Sequence, residues 1–169
     1  AAQASPAGAA RRVLILGGSQ GARALNEKLP PALAALRARF PDLTVRHQTG
    51  LEKDAAVRAA YAAAGWPDAR VEPFIDDVAS ALEDADLVVA RAGATTVAEL
   101  ACVGRPALFV PFPHAADDHQ AANAASLVEA GAARMEREET LDHARLTDVL
   151  GELLGDQARL AEMGRRARE

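Results

Sequence analysis

The sequence predicts a doubly wound α/β domain built on a parallel sheet of about six strands. Three observations support this fold class: short apolar runs alternate with stretches at helical spacing, most runs are continuously apolar, and glycine turns join several runs to the next helix. Continuously apolar strands are typical of a parallel sheet that helices cover on both faces. Ligands of such sheets bind beyond the carboxyl ends of the strands, so the loops at that edge are the candidate functional segments.

The expected elements alternate along nearly the whole chain. The predicted strands cover residues 12–16, 43–47, 70–73, 86–90, 106–110 and 133–136. The predicted helices cover residues 51–64, 76–83, 94–103, 119–129, 142–154 and 156–168, and another begins at Ala22. Pro30 and Pro31 are expected to interrupt that first helix or to begin a second one, because proline lacks a backbone donor and clashes with the preceding turn. Gly104 and Gly131 are expected to end their helices.

Composition narrows the class of protein. A chain of 169 residues, half of them hydrophobic, has the size of one domain and can bury a real core. The net charge of −5 and an aromatic content of 4% argue against a nucleic-acid binder, which needs clustered cations and rings on which bases stack. A single cysteine, Cys102, favours a reducing compartment, and we expect a cytoplasmic protein.

The ends of the chain and its apolar runs give two further expectations. Residues 1–10 have the composition of a linker, so we expect a piece of a longer protein in which one domain spans residues 11–169. No apolar run approaches the roughly 20 residues needed to cross a bilayer, so no membrane span is expected.

The first candidate loop follows the first predicted strand and contains Gly17, Gly18, Ser19 and Gly21. Small residues allow backbone N–H groups to approach an anion, and the helix that follows adds a partial positive charge. The spacing matches neither the dinucleotide fingerprint nor a P-loop. Glycines can also serve only a tight turn, and the position after the first strand favours phosphate binding over that alternative.

The second candidate loop follows the strongly apolar strand at residues 86–90. Thr96 and Glu99 have the spacing of a capping box, so one interpretation is that Glu99 caps its own helix, and the spacing by itself favours this. The functional alternative is that the Glu99 carboxylate accepts hydrogen bonds from the hydroxyls of a ribose.

The third candidate loop, residues 111–120, is rich in proline, histidine and aspartate, and Asp118 is a plausible N-cap of the next helix. His114, Asp117 and His119 have weak spacing for a metal site, and a polar loop or a sugar-binding amide is the preferred interpretation. His47, at the end of the second strand, is expected to be a hydrogen-bonded packing residue. No arrangement of nucleophile, base and acid stands out, so no catalytic residue is assigned in this chain.

Taken together and in order, several segments resemble one known family. These segments are GGSQGARALN after the first strand, HQTG after the second, FIDDV before the fourth, RAGATTVAEL after it, and PALFVPFPHAADDHQAANA. They resemble the C-terminal half of the MurG family, N-acetylglucosaminyltransferases of the two-domain GT-B type in glycosyltransferase family 28. The resemblance runs from Arg12 nearly to the end of the chain. It implies a Rossmann-like fold that forms one half of a GT-B enzyme.

The resemblance also implies which residues bind UDP-N-acetylglucosamine. Ser19, within the glycine loop, matches the residue that contacts the donor diphosphate, and Ala94, Thr95 and Thr96 match helix-start residues near the phosphates. The backbone of Ile75 matches the group that recognises uracil, and Glu99 matches the carboxylate that holds the ribose hydroxyls. His119 and Gln120 match a pair that contacts the N-acetylglucosamine hydroxyls, although His119 stands where some members carry Gln. The full implied set is Gly17, Gly18, Ser19, Gly21, Ile75, Ala94, Thr95, Thr96, Glu99, His119 and Gln120, with no metal ligand and no cofactor.

For the intact enzyme, the resemblance implies an inverting transfer of N-acetylglucosamine to the muramoyl 4-hydroxyl of lipid I, which gives lipid II in peptidoglycan synthesis. The family's N-terminal domain, absent from this chain, is the implied partner that binds lipid I and the membrane surface. The implied location is the cytoplasmic face of the inner membrane, where the enzyme is peripheral.

Three alternatives remain. The first is another GT-B enzyme that uses a nucleotide sugar, such as a diacylglycerol glycosyltransferase or a UDP-N-acetylglucosamine 2-epimerase. The second is a donor-binding subunit that completes its active site with a separate partner chain. The third is a binding module for an unrelated phosphorylated metabolite.

Overall fold

A computed structural model describes residues 11–18 and 20–169, and it confirms the predicted fold class. Six strands form one parallel sheet in the order β3-β2-β1-β4-β5-β6. The strands are β1 Arg11–Leu16, β2 Leu43–Gln48, β3 Arg70–Glu72, β4 Leu87–Ala90, β5 Ala107–Phe109 and β6 Ala133–Met135. The expected linker at residues 1–10 and the candidate residue Ser19 lie outside the described residues.

The described part of the chain also forms seven α-helices and two short 3-10 turns, of which α1 to α5 and the first 3-10 turn connect the strands and the others follow β6. The helices are α1 Arg23–Leu36, α2 Asp54–Ala63, α3 Val78–Asp84, α4 Ala94–Val103, α5 His119–Glu129, α6 His143–Gly155 and α7 Gln157–Ala167. The 3-10 turns are Ala116–Asp118 and Glu138–Thr140. Within the described residues, no helix combines the length and the apolar character that crossing a bilayer requires.

Two hydrophobic layers cover the sheet, one on each face, because successive side chains of a strand point to opposite faces. On β1, Val13 and Ile15 pack into the layer that contains residues of α1, α2 and α6. Leu14 and Leu16 pack into the layer that contains residues of α3, α4 and α5. The sheet is therefore buried on both sides, and the carboxyl ends of its strands form one edge with the loops that precede the helices.

The expected interruption at Pro30 and Pro31 is wrong, because α1 continues through both prolines. Each proline removes one helical hydrogen bond and costs about 3 kcal/mol in a helix interior. The helix buries Leu25, Leu29 and Leu33 almost completely against the sheet and α6, and each buried leucine contributes roughly 1.5–3 kcal/mol. Burial of the apolar face offsets the lost hydrogen bonds, so tertiary packing decides the helix here.

Helices α4 and α5 have the predicted bounds, and both end as predicted at a glycine. Gly104 and Gly131 have φ of 73°, the left-handed conformation that glycine adopts without strain. Asp142 and Asp156, predicted as the first residues of α6 and α7, are instead their N-caps. Their carboxylates accept from the backbone N–H of Arg145 at 2.8 Å and of Arg159 at 2.9 Å.

Candidate functional site

The glycine loop after β1 makes a tight turn at the carboxyl edge. The backbone N–H of Gly21 donates to the carbonyl of Gly18 at 3.0 Å, and both glycines have positive φ. A Cβ on Gly21 would lie 2.3 Å from the Thr49 carbonyl oxygen, and one on Gly50 would lie 2.6 Å from the Gly21 nitrogen. Glycine at positions 21 and 50 is therefore required for the loops after β1 and β2 to touch, whatever ligand the loop binds.

A buried polar network lies beneath this contact and confirms the packing role predicted for His47. The Tyr61 hydroxyl and His47 Nδ1 are 2.8 Å apart, His47 Nε2 and Asn26 Oδ1 are 2.9 Å apart, and Asn26 Nδ2 donates to the Thr49 carbonyl at 3.0 Å. Because Asn26 uses its amide N–H toward Thr49, its oxygen accepts from His47 Nε2–H. His47 Nδ1 then accepts from the Tyr61 hydroxyl.

Burial fixes the protonation state of this network. His47 and Tyr61 have almost no exposed surface. Burial lowers the pKa of His47 from 6.5 to about 3 and raises the pKa of Tyr61, so both are neutral at pH 7. A neutral, fully hydrogen-bonded network holds the Thr49 backbone, and through it Gly50, against the glycine loop.

The second candidate loop leads into the start of α4. Gly93 is the N-cap in an extended conformation, and no side chain caps the helix. Among the described residues, the backbone N–H groups of Ala94, Thr95 and Thr96 have no hydrogen-bond partner, while that of Val97 donates to Gly93. These free amides and the positive end of the helix dipole are the usual features of an anion site.

The capping-box interpretation of Thr96 and Glu99 is wrong. A capping box needs the threonine at the N-cap, but the helix already begins at Ala94, which makes Thr96 its third residue. Glu99 therefore lies in the second turn of α4, where no free helical amide is within its reach. It is partly exposed, and within the described part of the chain it forms no hydrogen bond or ion pair.

The third loop places Gln120 between two strand ends. Its Oε1 accepts from the backbone N–H of Phe112 at 2.8 Å and of Ala92 at 3.3 Å. Since both partners are donors, the orientation of the amide is defined, and its NH₂ group has no protein partner among the described residues. Gln120 thus presents only N–H donors to a ligand.

His119, the first residue of α5, can present a hydrogen-bond acceptor, whereas Gln120 presents donors. Its Nδ1 lies 2.8 Å from the carbonyl oxygen of Ala116, which can only accept, so Nδ1 carries the proton. In the neutral form, the exposed Nε2 is then an acceptor. Asp118 occupies the predicted N-cap position of α5, but its carboxylate makes no capping hydrogen bond and pairs with Arg137 instead.

Ile75 lies on the loop between β3 and α3, with its side chain buried in the layer that packs on β1 and β4. Its backbone N–H and carbonyl form no hydrogen bond with any described residue. A fixed side chain with free backbone groups is consistent with the predicted recognition of a ligand by the main chain.

A cavity of about 760 Å³ lies at this edge, in the size range of small-molecule sites. Of the predicted site residues, Gly17, Gly18, Gly21, Thr96 and Gln120 line it. The structure places the other described candidates outside its lining; these are Ile75, Ala94, Thr95, Glu99 and His119.

Several charged residues outside the predicted set of site residues also line the cavity, among them Lys53, Arg91 and Glu138. Lys53 Nζ donates to the carbonyl of Gln20, and the Arg91 guanidinium pairs with the Glu138 carboxylate. The pairing partners are 33 and 47 residues apart, so only the fold brings them together. The placement of Arg91 directly after β4 is the one indication in the sequence.

The alternative of a metal site at His114, Asp117 and His119 gains no support. Among residues 11–18 and 20–169, no three histidine, cysteine, aspartate or glutamate side chains lie close enough together to hold an ion. The His114 ring instead packs edge-on against Phe112, with 5.5 Å between the ring centroids.

The strand order, with a glycine-containing loop before the helix that follows each of the adjacent strands β1 and β4, is that of a Rossmann-like domain. This unit occurs twice in GT-B glycosyltransferases, which the solved structures similar to this chain include. Residues 12–169 match the C-terminal domain of glycosyltransferase family 28, and the chain belongs to that family.

Curated relatives share one name, UDP-N-acetylglucosamine–N-acetylmuramyl-(pentapeptide) pyrophosphoryl-undecaprenol N-acetylglucosamine transferase. The protein of Halorhodospira halophila is 55% identical over 159 residues, which cover 94% of this chain and 44% of the relative. That of Sorangium cellulosum is 52% identical over 160 residues, with 94% and 40% covered. The chain therefore spans less than half the length of these relatives.

Solved structures agree with this assignment. MurG of Acinetobacter baumannii superposes with a TM-score of 0.88 at 44% identity, covering 96% of this chain and 46% of that one. The kitacinnamycin glycosyltransferase superposes with a TM-score of 0.71 at 28% identity, covering 97% and 40%.

Proposed function

We propose that this chain is the donor-binding half of the inverting enzyme that transfers N-acetylglucosamine from UDP-N-acetylglucosamine to the muramoyl 4-hydroxyl of lipid I, which gives lipid II. The names of the relatives state the transferred sugar and its donor. The observation that supports donor binding most is the cavity between the glycine loop and the uncapped start of α4, where the amides of residues 94–96 are free. These features suit a diphosphate.

The diphosphate is bound mainly by the backbone. Lys53 and Arg91, two cations of the cavity, already have protein partners, whereas the first amides of α4 do not. Backbone N–H groups and a helix dipole are oriented before the reaction, so they stabilise the charge that grows on departing UDP without reorganising. Ser19, which by resemblance contacts this diphosphate, belongs to the same loop.

The nucleoside is recognised by two groups that the protein leaves free. The Glu99 carboxylate, without a partner among the described residues, accepts from the ribose hydroxyls. The backbone of Ile75, held in place by its buried side chain, recognises the uracil edge. A backbone site distinguishes uracil from adenine without needing an aromatic platform.

The sugar is bound by the first two residues of α5. Neutral His119 presents an acceptor at Nε2, and Gln120 presents donors from its side-chain NH₂ group. His119 can therefore accept a hydrogen bond from one sugar hydroxyl, and Gln120 can donate to another. His119 and Glu99 do not line the cavity. A UDP-N-acetylglucosamine molecule that contacts both residues therefore extends beyond the cavity along the carboxyl edge of the sheet.

The acceptor side of the reaction belongs to the other half of the enzyme. No residue of this chain is proposed as the catalytic base, which an inverting transfer needs to deprotonate the acceptor. We propose that the N-terminal half binds lipid I and the membrane surface, and that the full enzyme is peripheral on the cytoplasmic face of the inner membrane. Nucleic acid is not a proposed partner.

Calorimetric titration with UDP-N-acetylglucosamine, UDP and ADP tests donor binding. We expect UDP and UDP-N-acetylglucosamine to bind and ADP to bind at least about tenfold more weakly, a difference of about 1.4 kcal/mol. Equal binding of UDP and ADP would favour a general phosphometabolite module. No heat of binding from any of the three at millimolar concentration would contradict the proposal.

A further inference from the structure

The turn before α5 has an unusual backbone. Asp117 (φ 52°, ψ 24°) and Asp118 (φ 54°, ψ 33°) are consecutive residues in the left-handed region, and neither is glycine. Residues with a Cβ adopt this region at a cost, and two in succession persist only where the surroundings hold them. The 3-10 turn that contains them ends directly before His119 and Gln120.

One side-chain ion pair joins this turn to the segment after β6, in addition to the backbone hydrogen bond from the Asp118 N–H to the Ala115 carbonyl. Arg137 Nη1 and Nη2 donate to Asp118 Oδ1 and Oδ2 at 2.7 and 2.9 Å, the two parallel hydrogen bonds of a bidentate pair. These hydrogen bonds keep the pKa of the Asp118 carboxyl below its ordinary value, so the pair stays charged at neutral pH. Arg137 lies two residues after the end of β6, the strand that pairs with β5, and the turn follows β5.

Glu138, which follows Arg137, joins the same segment to a second loop. Glu138 pairs with Arg91, which follows β4, and Arg91 Nη1 also donates to the Val110 carbonyl at 3.2 Å. Residues 137 and 138 therefore fasten the loops after β4 and β5 to one short segment. Gln120 bridges the same two loops through the N–H groups of Ala92 and Phe112.

We propose that Arg137 is a positioning residue, which holds Asp118 in its left-handed conformation and thereby sets where His119 and Gln120 project from α5. Without the pair, Asp117 and Asp118 relax toward the right-handed region, and the first turn of α5 shifts relative to the ends of β4 and β5. The expected effect on sugar binding rests on the proposed function, whereas the expected effect on the conformation of the turn does not.

The effect on the turn is tested without ligand by amide hydrogen exchange in Arg137→Gln. Because Gln120 Oε1 accepts from Phe112 N–H, a shifted Gln120 exposes that amide, and we expect its exchange to accelerate about tenfold. Arg145→Gln is the matched control, since the half-exposed Arg145 guanidinium pairs with Glu136 and, among the described residues, forms no hydrogen bond or ion pair with the turn or α5. Unchanged Phe112 exchange in Arg137→Gln, or equal acceleration in both variants, would overturn the proposal.

The effect on the sugar is tested by comparing two ligands. Arg137→Gln should weaken UDP-N-acetylglucosamine binding about tenfold and leave UDP binding within about twofold, because UDP lacks the sugar. An equal loss for both ligands, or no loss for either, would contradict positioning of the sugar contacts. If the unaltered chain binds neither ligand, the proposed function fails, while the exchange result still decides the role of Arg137 in the turn.

A rescue variant tests whether Arg137 acts through the backbone of Asp118. Glycine adopts the left-handed region freely, so Asp118→Gly removes the need for the ion pair. In that background, Arg137→Gln should change Phe112 exchange by less than about twofold. A further acceleration as large as that in the unaltered chain would show that Arg137 acts by another route and would overturn the proposal.

Discussion

Two regions of the carboxyl edge are held in opposite ways. Near β1 and β2, the glycine loop rests on backbone contacts and on a buried, neutral network around His47. Near β5 and β6, the turn before α5 is exposed and is held by a charged pair, Asp118 with Arg137. The first arrangement is part of the core and the second lies on the surface.

We expect this difference to separate residues that stabilise the fold from residues that affect ligand binding. A change in the buried network leaves polar groups without partners or forces backbone atoms together, so it should affect folding first. A change in an exposed ion pair has little effect on folding, yet it can alter the local geometry of α5. The following predictions test whether the two regions behave in these two ways.

The largest expected effect is on folding, at Gly50. A Cβ there would lie 2.6 Å from the Gly21 nitrogen at a φ of +90°, so Gly50→Ala should lower the free energy of unfolding by about 3 kcal/mol or more. Urea denaturation measures this. Gly18→Ala is the control, because Gly18 also has positive φ but nothing within 4 Å of its Cβ, and it should cost only about 1–2 kcal/mol. Equal losses of unfolding free energy in the two variants would show that the loops after β1 and β2 are not in close contact at Gly50.

The second effect is a pH dependence of stability caused by His47. The unfolded chain gains a proton on His47 below about pH 6.5, whereas the folded protein does so only near pH 3, so stability falls as the pH falls between these values. We expect a loss of about 2 kcal/mol between pH 7 and pH 5, measured by urea denaturation. Substitution of exposed His143 by Gln should leave this loss unchanged. A flat profile from pH 7 to 5 would mean that His47 is not buried in neutral form.

The third effect is on binding alone. Glu99→Gln removes the charge from the hydrogen bonds to the ribose, so UDP affinity should fall about tenfold, while the urea midpoint stays constant. Glu129→Gln, at the exposed end of α5, is the matched carboxylate control and should change neither. Parallel loss of affinity and stability in Glu99→Gln would argue for a structural role of this residue.

The smallest expected effect is on the folding of Arg137→Gln. Because the pair with Asp118 is exposed, its loss should leave the melting temperature within about 1 °C of the unaltered chain, as measured by circular dichroism. A large fall in melting temperature would show that this turn contributes to folding stability as the buried network does. The two regions would then not differ in the way proposed.

The sequence predicts most of the fold because its strongest features act locally. Apolar runs define the strands, and Gly104 and Gly131 define the ends of α4 and α5. The error at Pro30 and Pro31 has the opposite origin, since packing across the sheet outweighs the local preference. The error at Thr96 arises because a spacing of three residues does not show where the helix begins.

The candidate site is predictable only in part. The loops at the carboxyl edge and the glycines that line the cavity follow from strand order and motif. Arg137, Glu138 and Lys53 could not be predicted, because each acquires its role from a partner distant in sequence. The directions of hydrogen bonding at His119 and Gln120 also need the structure, since their backbone partners determine which atoms remain for a ligand.

Amide resonances of the isotope-labelled chain, followed during titration with UDP-N-acetylglucosamine, test donor binding at this edge most directly. We expect saturable shifts at Gly17, Gly21, Gly93, Thr96 and the side-chain amide of Gln120, with UDP alone shifting all but the last. The absence of shifts at these positions at millimolar ligand, or shifts confined to another part of the molecule, would contradict the account.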